Sequence, residues 1–227
     1  MKTELITALD FPDIEGAMAL VDRIGEDGVW YKVGKQLFTA CGPEVVRQLK
    51  SRGKKVFLDL KYHDIPNTVA QAVASAARIG ADMCNVHASG GPAMLSAAAE
   101  AADKARILLT AVTVLTSMDA GELAAIGINQ SPLEQVLRLA KLAQANGVAG
   151  VVCSSLELDG IKKTCGSNFI AVVPGIRPAD TAADDQKRIM TPRQAAERNA
   201  DFIVVGRPIT KAADPAQAVK MILNELH

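Results

Sequence analysis

Short apolar segments alternate with amphipathic segments along the whole chain. The apolar segments are rich in valine and isoleucine, are mostly continuous, and occur at 5–9, 29–34, 55–60, 83–88, 107–115, 149–154, 169–174 and 202–206. Continuous apolar runs of this length are typical of parallel β-strands that are covered on both faces. The pattern therefore predicts eight buried parallel strands.

The segments between these strands show the spacing of helices. In residues 13–25 the apolar side chains fall on one helical face, namely Ile14, Ala17, Met18, Val21 and Ile24. Residues 43–53 begin with proline and end with glycine, as helices often do. Similar helical patterns cover 66–80, 91–103, 132–146, 155–165, 191–199 and 214–227.

Eight strand–helix cycles in 227 residues predict an α/β protein, a (β/α)₈ TIM barrel in a single domain that covers residues 1–227. An open doubly wound sheet is the alternative, and it would carry a glycine-rich phosphate loop after its first strand. That position reads ALDFPD, residues 8–13, which favours the barrel. The longest weakly structured segments, 116–131 and 175–190, both follow strands. We expect them at the carboxyl-terminal face of the barrel, where active sites of this fold lie.

The composition indicates a cytoplasmic protein that has neither a membrane nor a nucleic-acid polymer as a partner. The chain has 25 Lys and Arg residues against 25 Asp and Glu residues, and no basic stripe is present. Its four cysteines form no C-x-x-C pair, so we expect free thiols in a reducing compartment. We see no signal peptide and no apolar stretch of the about 18 residues that a membrane-spanning helix needs.

The third apolar segment ends in charged residues. It belongs to the sequence KKVFLDLKYHDIP, residues 54–66, in which Asp59 and Asp64 flank Lys61. Because side chains alternate along a strand, Phe57, Asp59 and Lys61 should face the barrel axis. Asp64 lies in the turn before the next helix, where an N-cap is its ordinary role. A buried ion pair stabilises a fold poorly, since desolvation offsets most of the attraction, so the group as a whole indicates function.

Polar residues also end other predicted strands, at Asp10, Lys32 and Lys35, His87, Thr116 and Ser117, and Arg207. Each has an ordinary structural explanation alone, but this face of a barrel carries its chemistry. The loops after strands seven and eight hold Gly175 with Arg177 and Gly206 with Arg207. Turn N–H groups with an arginine beside them bind phosphate, which predicts a small phosphorylated ligand. The alternative is two turn glycines with surface arginines.

With these residues laid out, the sequence strongly resembles the bacterial branch of the orotidine 5′-monophosphate decarboxylase family. The matching motifs occur in family order over essentially the whole chain: ALD at 8–10, KVG at 32–34, DLKYHDIPNT at 59–68, NVHASGG at 85–91, TVLTS at 113–117, PGIRP at 174–178, DQKRIMTP at 185–192 and VVGRPIT at 204–210. The D-x-K-x-x-D core is shared more widely, whereas DIPNT and the paired phosphate loops are specific.

The resemblance implies removal of CO₂ from orotidine 5′-monophosphate to give UMP, the last step of de novo pyrimidine synthesis. It implies a homodimer with shared active sites that uses neither metal nor organic cofactor. Lys61 would donate the proton to C6, within a charged array of Lys32, Asp59, Lys61 and Asp64, with Asp64 supplied by the other subunit. The implied substrate contacts are Asp10, Lys32, Asp59 and the neighbour's Thr68 around the ribose and reacting carbon, Thr116 and Ser117 near the pyrimidine, and Arg177, Gln186, Gly206 and Arg207 at the phosphate.

Two other functions stay open on the residues alone. A magnesium-dependent decarboxylase of the 3-keto-L-gulonate 6-phosphate type shares D-x-K-x-x-D, but there the acids hold the metal. The DIPNT extension at 64–68 and Gln186 argue against it. A barrel that only binds a phosphorylated ligand would use Arg177 and Arg207 and would leave the acids and the lysine of 59–64 without a role.

Overall fold

The chain folds as a closed barrel of parallel strands, and the computed structural model describes residues 3–178 and 190–226. The strands follow chain order around the barrel, and the last pairs with the first. Their bounds are β1 Glu4–Leu9, β2 Trp30–Gly34, β3 Lys55–Tyr62, β4 Met83–His87, β5 Leu108–Val112, β6 Gly150–Val152, β7 Ile170–Pro174 and β8 Phe202–Val205. The predicted (β/α)₈ barrel is confirmed, and the open doubly wound sheet is wrong.

Helices connect the strands around the outside of the barrel. Their bounds are α1 Ile14–Ile24, α2 Lys35–Cys41, α3 Glu44–Ser51, α4 Pro66–Arg78, α5 Gly91–Ala105, α6 Ala120–Ala125, α7 Pro132–Ala145, α8 Leu158–Cys165, α9 Pro192–Glu197, α10 Arg207–Thr210 and α11 Pro215–Glu225. The segment 116–131 is therefore more ordered than predicted. A capping box starts α6 there. The Asp119 side chain accepts the backbone N–H of Glu122, and the Glu122 side chain accepts the backbone N–H of Asp119.

Apolar side chains fill both the barrel interior and the layer between strands and helices. The interior cluster consists of Ile6, Ala8, Trp30, Phe57, Met83, Val172, Phe202 and Val204. Val56 and Leu58 belong to the outer layer, and Leu60 packs against it. The predicted alternation of β3 is confirmed, and it leaves Asp59 and Lys61 on the axis side, beyond the apolar interior.

Two further predictions concern the whole chain. The cysteines at 41, 84, 153 and 165 are free thiols, as predicted. Burial raises the pKa of Cys84 to about 12, which makes its thiol unreactive at neutral pH. No helix in the ranges 3–178 and 190–226 is long and apolar enough to cross a membrane.

Candidate active site

Charged side chains from the first three strands meet in the mouth of the barrel. Lys32 in β2 places its Nζ 3.0 Å from Oδ1 of Asp10, which directly follows β1, and 3.6 Å from Oδ2 of Asp59. The Nζ of Lys61 donates a hydrogen bond of 2.5 Å to Oδ1 of Asp59. Charges of opposite sign therefore alternate along Asp10, Lys32, Asp59 and Lys61, which we call the charged row.

The centre of the charged row is shielded from water. The side chains of Lys32 and Asp59 are 12% and 14% exposed, whereas that of Asp10 is 63% exposed. Burial alone raises the pKa of Asp59. The positive charges of Lys32 and Lys61, with hydrogen bonds from Lys61 and Asn85, outweigh burial and lower that pKa below its ordinary value. Asp59 is consequently an anion at neutral pH.

The backbone of Lys61 adopts a conformation that is uncommon for a lysine. Its φ angle is 55°, in the left-handed region, and the pairing of β3 with β4 is irregular between Leu58 and Tyr62. The side-chain amide of Asn85, in β4, contacts both Asp59 and the backbone of Lys61. Asn85 was missed from the sequence. The available signal was an amide at an axis-facing position inside an otherwise apolar strand.

His87 ends β4 and lies beside the charged row, as its position predicted. Its ring centroid is 5.6 Å from that of His63, which follows β3. Burial is the largest cause that lowers the pKa of His87, and the charges of His63, Lys35 and Lys61 lower it further against the opposing effect of Asp59. The imidazole of His87 is therefore neutral at pH 7, so it adds no charge to the row. Lys35 itself is exposed at the start of α2.

Asp64 and Thr68 do not join the charged row of their own chain. Both are exposed, and Asp64 uses Oδ1 to accept the N–H of the next residue, Ile65. Ile65 occupies the N-cap position of α4, and no side chain caps this end of the helix. The interpretation of Asp64 as the helix cap is therefore wrong. Within the described part of the chain Asp64 makes no ion pair. The side chain of Ile65 is 68% exposed, so an apolar group stands at this rim between the two polar residues.

Thr116 and Ser117 do not end strand five, and this prediction is corrected. The strand ends at Val112, and both residues lie in an exposed turn closed by a 2.9 Å hydrogen bond from the Met118 N–H to the Leu115 carbonyl. The apolar run continues to Leu115, but the side chain of Leu115 is 40% exposed. Hydrophobicity therefore extends past the point at which the hydrogen-bonded ladder stops.

The loops after β7 and β8 place the predicted phosphate residues near the same mouth. Arg177 is 7% exposed, so the alternative of a surface arginine is wrong for it, and among the described residues its buried Nε has no hydrogen-bond partner. Gly175 has a φ angle of 79°, which favours glycine. A methyl group at position 206 would lie 3.7 Å from Oδ2 of Asp10, so this loop lies beside the charged row. Arg207 begins α10, a short helix of four residues.

Gln186 and most of the predicted 175–190 loop lie outside the described residues, which end at 178 and resume at 190. At the edges of this gap the Arg177 N–H donates to the Met190 carbonyl over 3.0 Å. In the two described ranges no group of three or more His, Cys, Asp or Glu side chains is placed to hold a metal ion.

Comparisons with known proteins show the family of this chain. A model of the Orotidine 5′-phosphate decarboxylase / HUMPS family matches residues 3–222. The orotidine 5′-phosphate decarboxylase of Teredinibacter turnerae is 52% identical over 225 residues, which are 98% of this chain and 97% of the relative. That of Pseudomonas fluorescens strain Pf0-1 is 51% identical over 228 residues, which are 99% and 98% of the two chains.

Solved structures give the same result. The crystal structure of orotidine 5′-phosphate decarboxylase from Lactobacillus acidophilus has a TM-score of 0.89 at 38% identity and covers 99% of both chains. An uncharacterized conserved protein from Geobacillus kaustophilus has a TM-score of 0.87 at 40% identity, over 98% of this chain and 100% of that one. From its family model, its relatives and its barrel, we conclude that the chain belongs to the orotidine 5′-phosphate decarboxylase family.

Proposed function

We propose that this enzyme decarboxylates orotidine 5′-monophosphate to UMP without a metal or an organic cofactor, with Lys61 as the acid. The bond between C6 and the carboxylate breaks, CO₂ leaves, and the electron pair stays on C6. The ammonium group of Lys61 then gives C6 a proton, and the resulting amine regains one from water. The observation that carries this proposal is the short contact between Lys61 and Asp59 in the barrel mouth, at 2.5 Å.

The charged row supplies the stabilisation of negative charge that a cofactor would otherwise have to provide in this reaction. Negative charge develops at C6, and a fixed positive group at that place stabilises it; such preorganised electrostatic stabilisation usually contributes more than any other effect to the rate acceleration by an enzyme. An anionic Asp59 attracts the ammonium group of Lys61 and fixes its position. For charges about 4 Å apart at an effective dielectric constant near 20, such an attraction amounts to about 4 kcal/mol. Lys32 holds the other oxygen of Asp59 and so keeps the carboxylate from turning away.

The phosphate of the substrate is assigned to the loops after β7 and β8. Arg177 is buried and offers an Nε donor that no described residue uses, which is the arrangement that an anion completes. Gly206 brings the second loop beside Asp10, so a ligand that spans both regions reaches the charged row with its sugar. Gln186 is assigned to the same phosphate by family resemblance. Binding energy at this remote end then positions the reacting carbon.

We also propose a homodimer in which Asp64 and Thr68 complete the site of the partner subunit. Both residues lie exposed at the rim and make no hydrogen bond or ion pair with the charged row of their own chain. Ile65, between them, is 68% exposed, so its apolar side chain lies at the same rim and would be covered by such an interface. In a two-fold interface each subunit gives the same residues to the other, so both sites of the dimer are completed together.

The test is an assay of UMP formation from orotidine 5′-monophosphate, run with and without EDTA. We expect full activity in EDTA and none in the Lys61→Ala variant. Activity that disappears with EDTA and returns with Mg²⁺ would support the magnesium-dependent alternative. Tight UMP binding without any turnover would support a barrel that only binds phosphorylated ligands. The contacts of Asp59 support the metal-free reaction, because one carboxylate oxygen accepts two hydrogen bonds and the other faces Lys32.

A further inference from the structure

The side-chain amide of Asn85 joins the two central members of the charged row. Its Nδ2 donates to Oδ1 of Asp59 over 2.7 Å, and its Oδ1 accepts the backbone N–H of Lys61 over 2.8 Å. Asn85 is fully buried, with 0% of its surface exposed. Both polar ends of the amide are therefore used, and both are used on residues of the neighbouring strand.

The irregular pairing of β3 with β4 explains why a side chain is needed here. The ladder pairs Leu58 with Cys84 and resumes at Tyr62 with Val86, so Asn85 alone lies opposite residues 59–61. The extra residues of such a bulge lose their ladder partners. With its φ angle of 55°, Lys61 turns its N–H to the side chain of Asn85 instead of to a strand carbonyl. A buried N–H without any acceptor would be strongly unfavourable.

The hydrogen bond from Asn85 to Asp59 fixes the carboxylate that holds the ammonium group of Lys61. Oδ1 of Asp59 receives hydrogen bonds from Lys61 and from Asn85, which together fix the plane of the carboxylate. A side-chain amide donates to a carboxylate with one atom and accepts a backbone N–H with the other, and it is neutral at every pH in the physiological range. Leucine has the size but neither function, and an ionised aspartate cannot donate.

We propose that Asn85 is a positioning residue for the decarboxylation: it holds the Asp59 carboxylate and the left-handed backbone of Lys61 in the one arrangement that aims the ammonium group at the reacting carbon. Asn85 acts through these two residues and does not itself reach the substrate, because it is buried beneath them. The inference rests on the proposed function, since it gives Asn85 a role only if Lys61 is the acid.

The first experiment compares Asn85→Leu with wild type in steady-state kinetics and in UMP binding by calorimetry. The variant loses the hydrogen bond to the Asp59 carboxylate and the one from the Lys61 backbone N–H. This loss should lower kcat by about 10- to 100-fold. KM and UMP affinity should stay within about threefold, because the phosphate loops are untouched. The matched control is Thr110→Val. Thr110 pairs with Asn85 in the next strand and is equally buried. Among the described residues its hydroxyl donates to the Cys84 carbonyl alone, so the kcat of this variant should stay near that of wild type.

The second experiment uses Asn85→Asp, which keeps the size of the side chain. At neutral pH its carboxylate repels Asp59 and has no donor, so kcat should be low. When this group is protonated it donates to Asp59 and still accepts the Lys61 N–H. The ratio of variant to wild-type kcat should therefore rise as pH falls from about 8 to about 5. A residue that served packing alone would give a ratio that does not depend on pH.

The outcomes separate this inference from the proposed function. Full activity in Lys61→Ala would refute the proposed function, whatever Asn85 does. An inactive Lys61→Ala together with an Asn85→Leu whose kcat stays within about threefold of wild type would refute the positioning role alone. If Asn85→Leu fails to fold, the pH series of Asn85→Asp decides by itself, and a flat ratio overturns the inference.

Discussion

The ammonium group of Lys32 lies 3.6 Å from Oδ2 of Asp59, the carboxylate oxygen that Lys61 does not occupy. Asp59 is thereby held as an anion between two cations, and its pKa is lowered in the folded state. A carboxylate with a lowered folded pKa adds stability above its unfolded pKa of about 4, and this stability is lost as pH falls through the folded value.

We therefore expect the difference in unfolding free energy between wild type and Asp59→Asn to be constant from pH 7 to about 5. Below about pH 4 it should move in favour of the variant, because Asp59 of the unfolded wild-type chain then takes up a proton while the folded carboxylate, with its lowered pKa, stays ionised. Urea denaturation at a series of pH values measures this. Asp22→Asn, which removes an exposed carboxylate paired with Arg52, is the control. A difference that stays constant down to pH 3 would contradict the prediction.

Lys61→Ala should abolish catalysis but keep the phosphate-anchored binding of ligand. Lys61 is assigned to the reacting carbon, whereas Arg177 and Arg207 are assigned to the other end of the nucleotide. The affinity for UMP should stay within about tenfold of wild type, which corresponds to about 1.4 kcal/mol. Calorimetry with UMP and a sensitive assay of product formation check both parts. More than a small fraction of wild-type kcat in this variant would mean that Lys61 is not the acid.

Arg207→Ala should lower kcat/KM by about tenfold to a hundredfold, because a charge-assisted contact with phosphate is lost and the remote binding energy with it. Arg198→Ala is the matched control. Arg198 pairs with Asp159 at 3.3 Å on the surface, and loss of such a pair should change kcat/KM by no more than about fivefold. Orotidine without its phosphate should react far more slowly than the nucleotide with wild type. Equal rates for the two substrates would refute a role of the phosphate end in catalysis.

Mixing two inactive variants tests whether Asp64 acts across a subunit interface. In a hybrid of Lys61→Ala with Asp64→Ala, one site lacks both groups and the other keeps both intact if Asp64 serves the partner. An equal mixture that exchanges subunits freely should regain about a quarter of wild-type activity. If Asp64 serves its own chain, every site lacks one group and mixing restores nothing. Subunit exchange, followed by labelled chains, must be shown before a negative result counts against the shared site.

The strand pattern predicted the barrel because parallel strands covered on both faces are apolar along their whole length. The same property hid the end of β5. The run 107–115 stays apolar, but the strand leaves the ladder at Val112, and Val114 is still buried in the outer layer. Hydrophobicity reports burial and does not report backbone hydrogen bonds, so Thr116 and Ser117 were assigned to a strand that ends before them.

The contacts of Asn85 could not be predicted for a different reason, although its axis-facing amide was visible in the sequence. Its role depends on the irregular register between β3 and β4, in which Asn85 alone lies opposite residues 59–61. No pattern within either strand specifies that irregularity. Asp59 and Lys61, by contrast, follow from simple alternation within one strand. A cytoplasmic location and the single domain over residues 1–227 stay predictions from the sequence.

The pairing of β8 with β1 brings the loop of Gly206 to Asp10, although these residues stand near opposite ends of the chain. During synthesis the charged row emerges from the ribosome well before the loop of Gly206. If this loop binds the phosphate as proposed, substrate or product can stabilise the nascent chain only after β8 has closed the barrel. Ligand then adds nothing to the stability of earlier folding intermediates. Fragments that stop before β8 should for the same reason gain no protection against proteolysis from UMP.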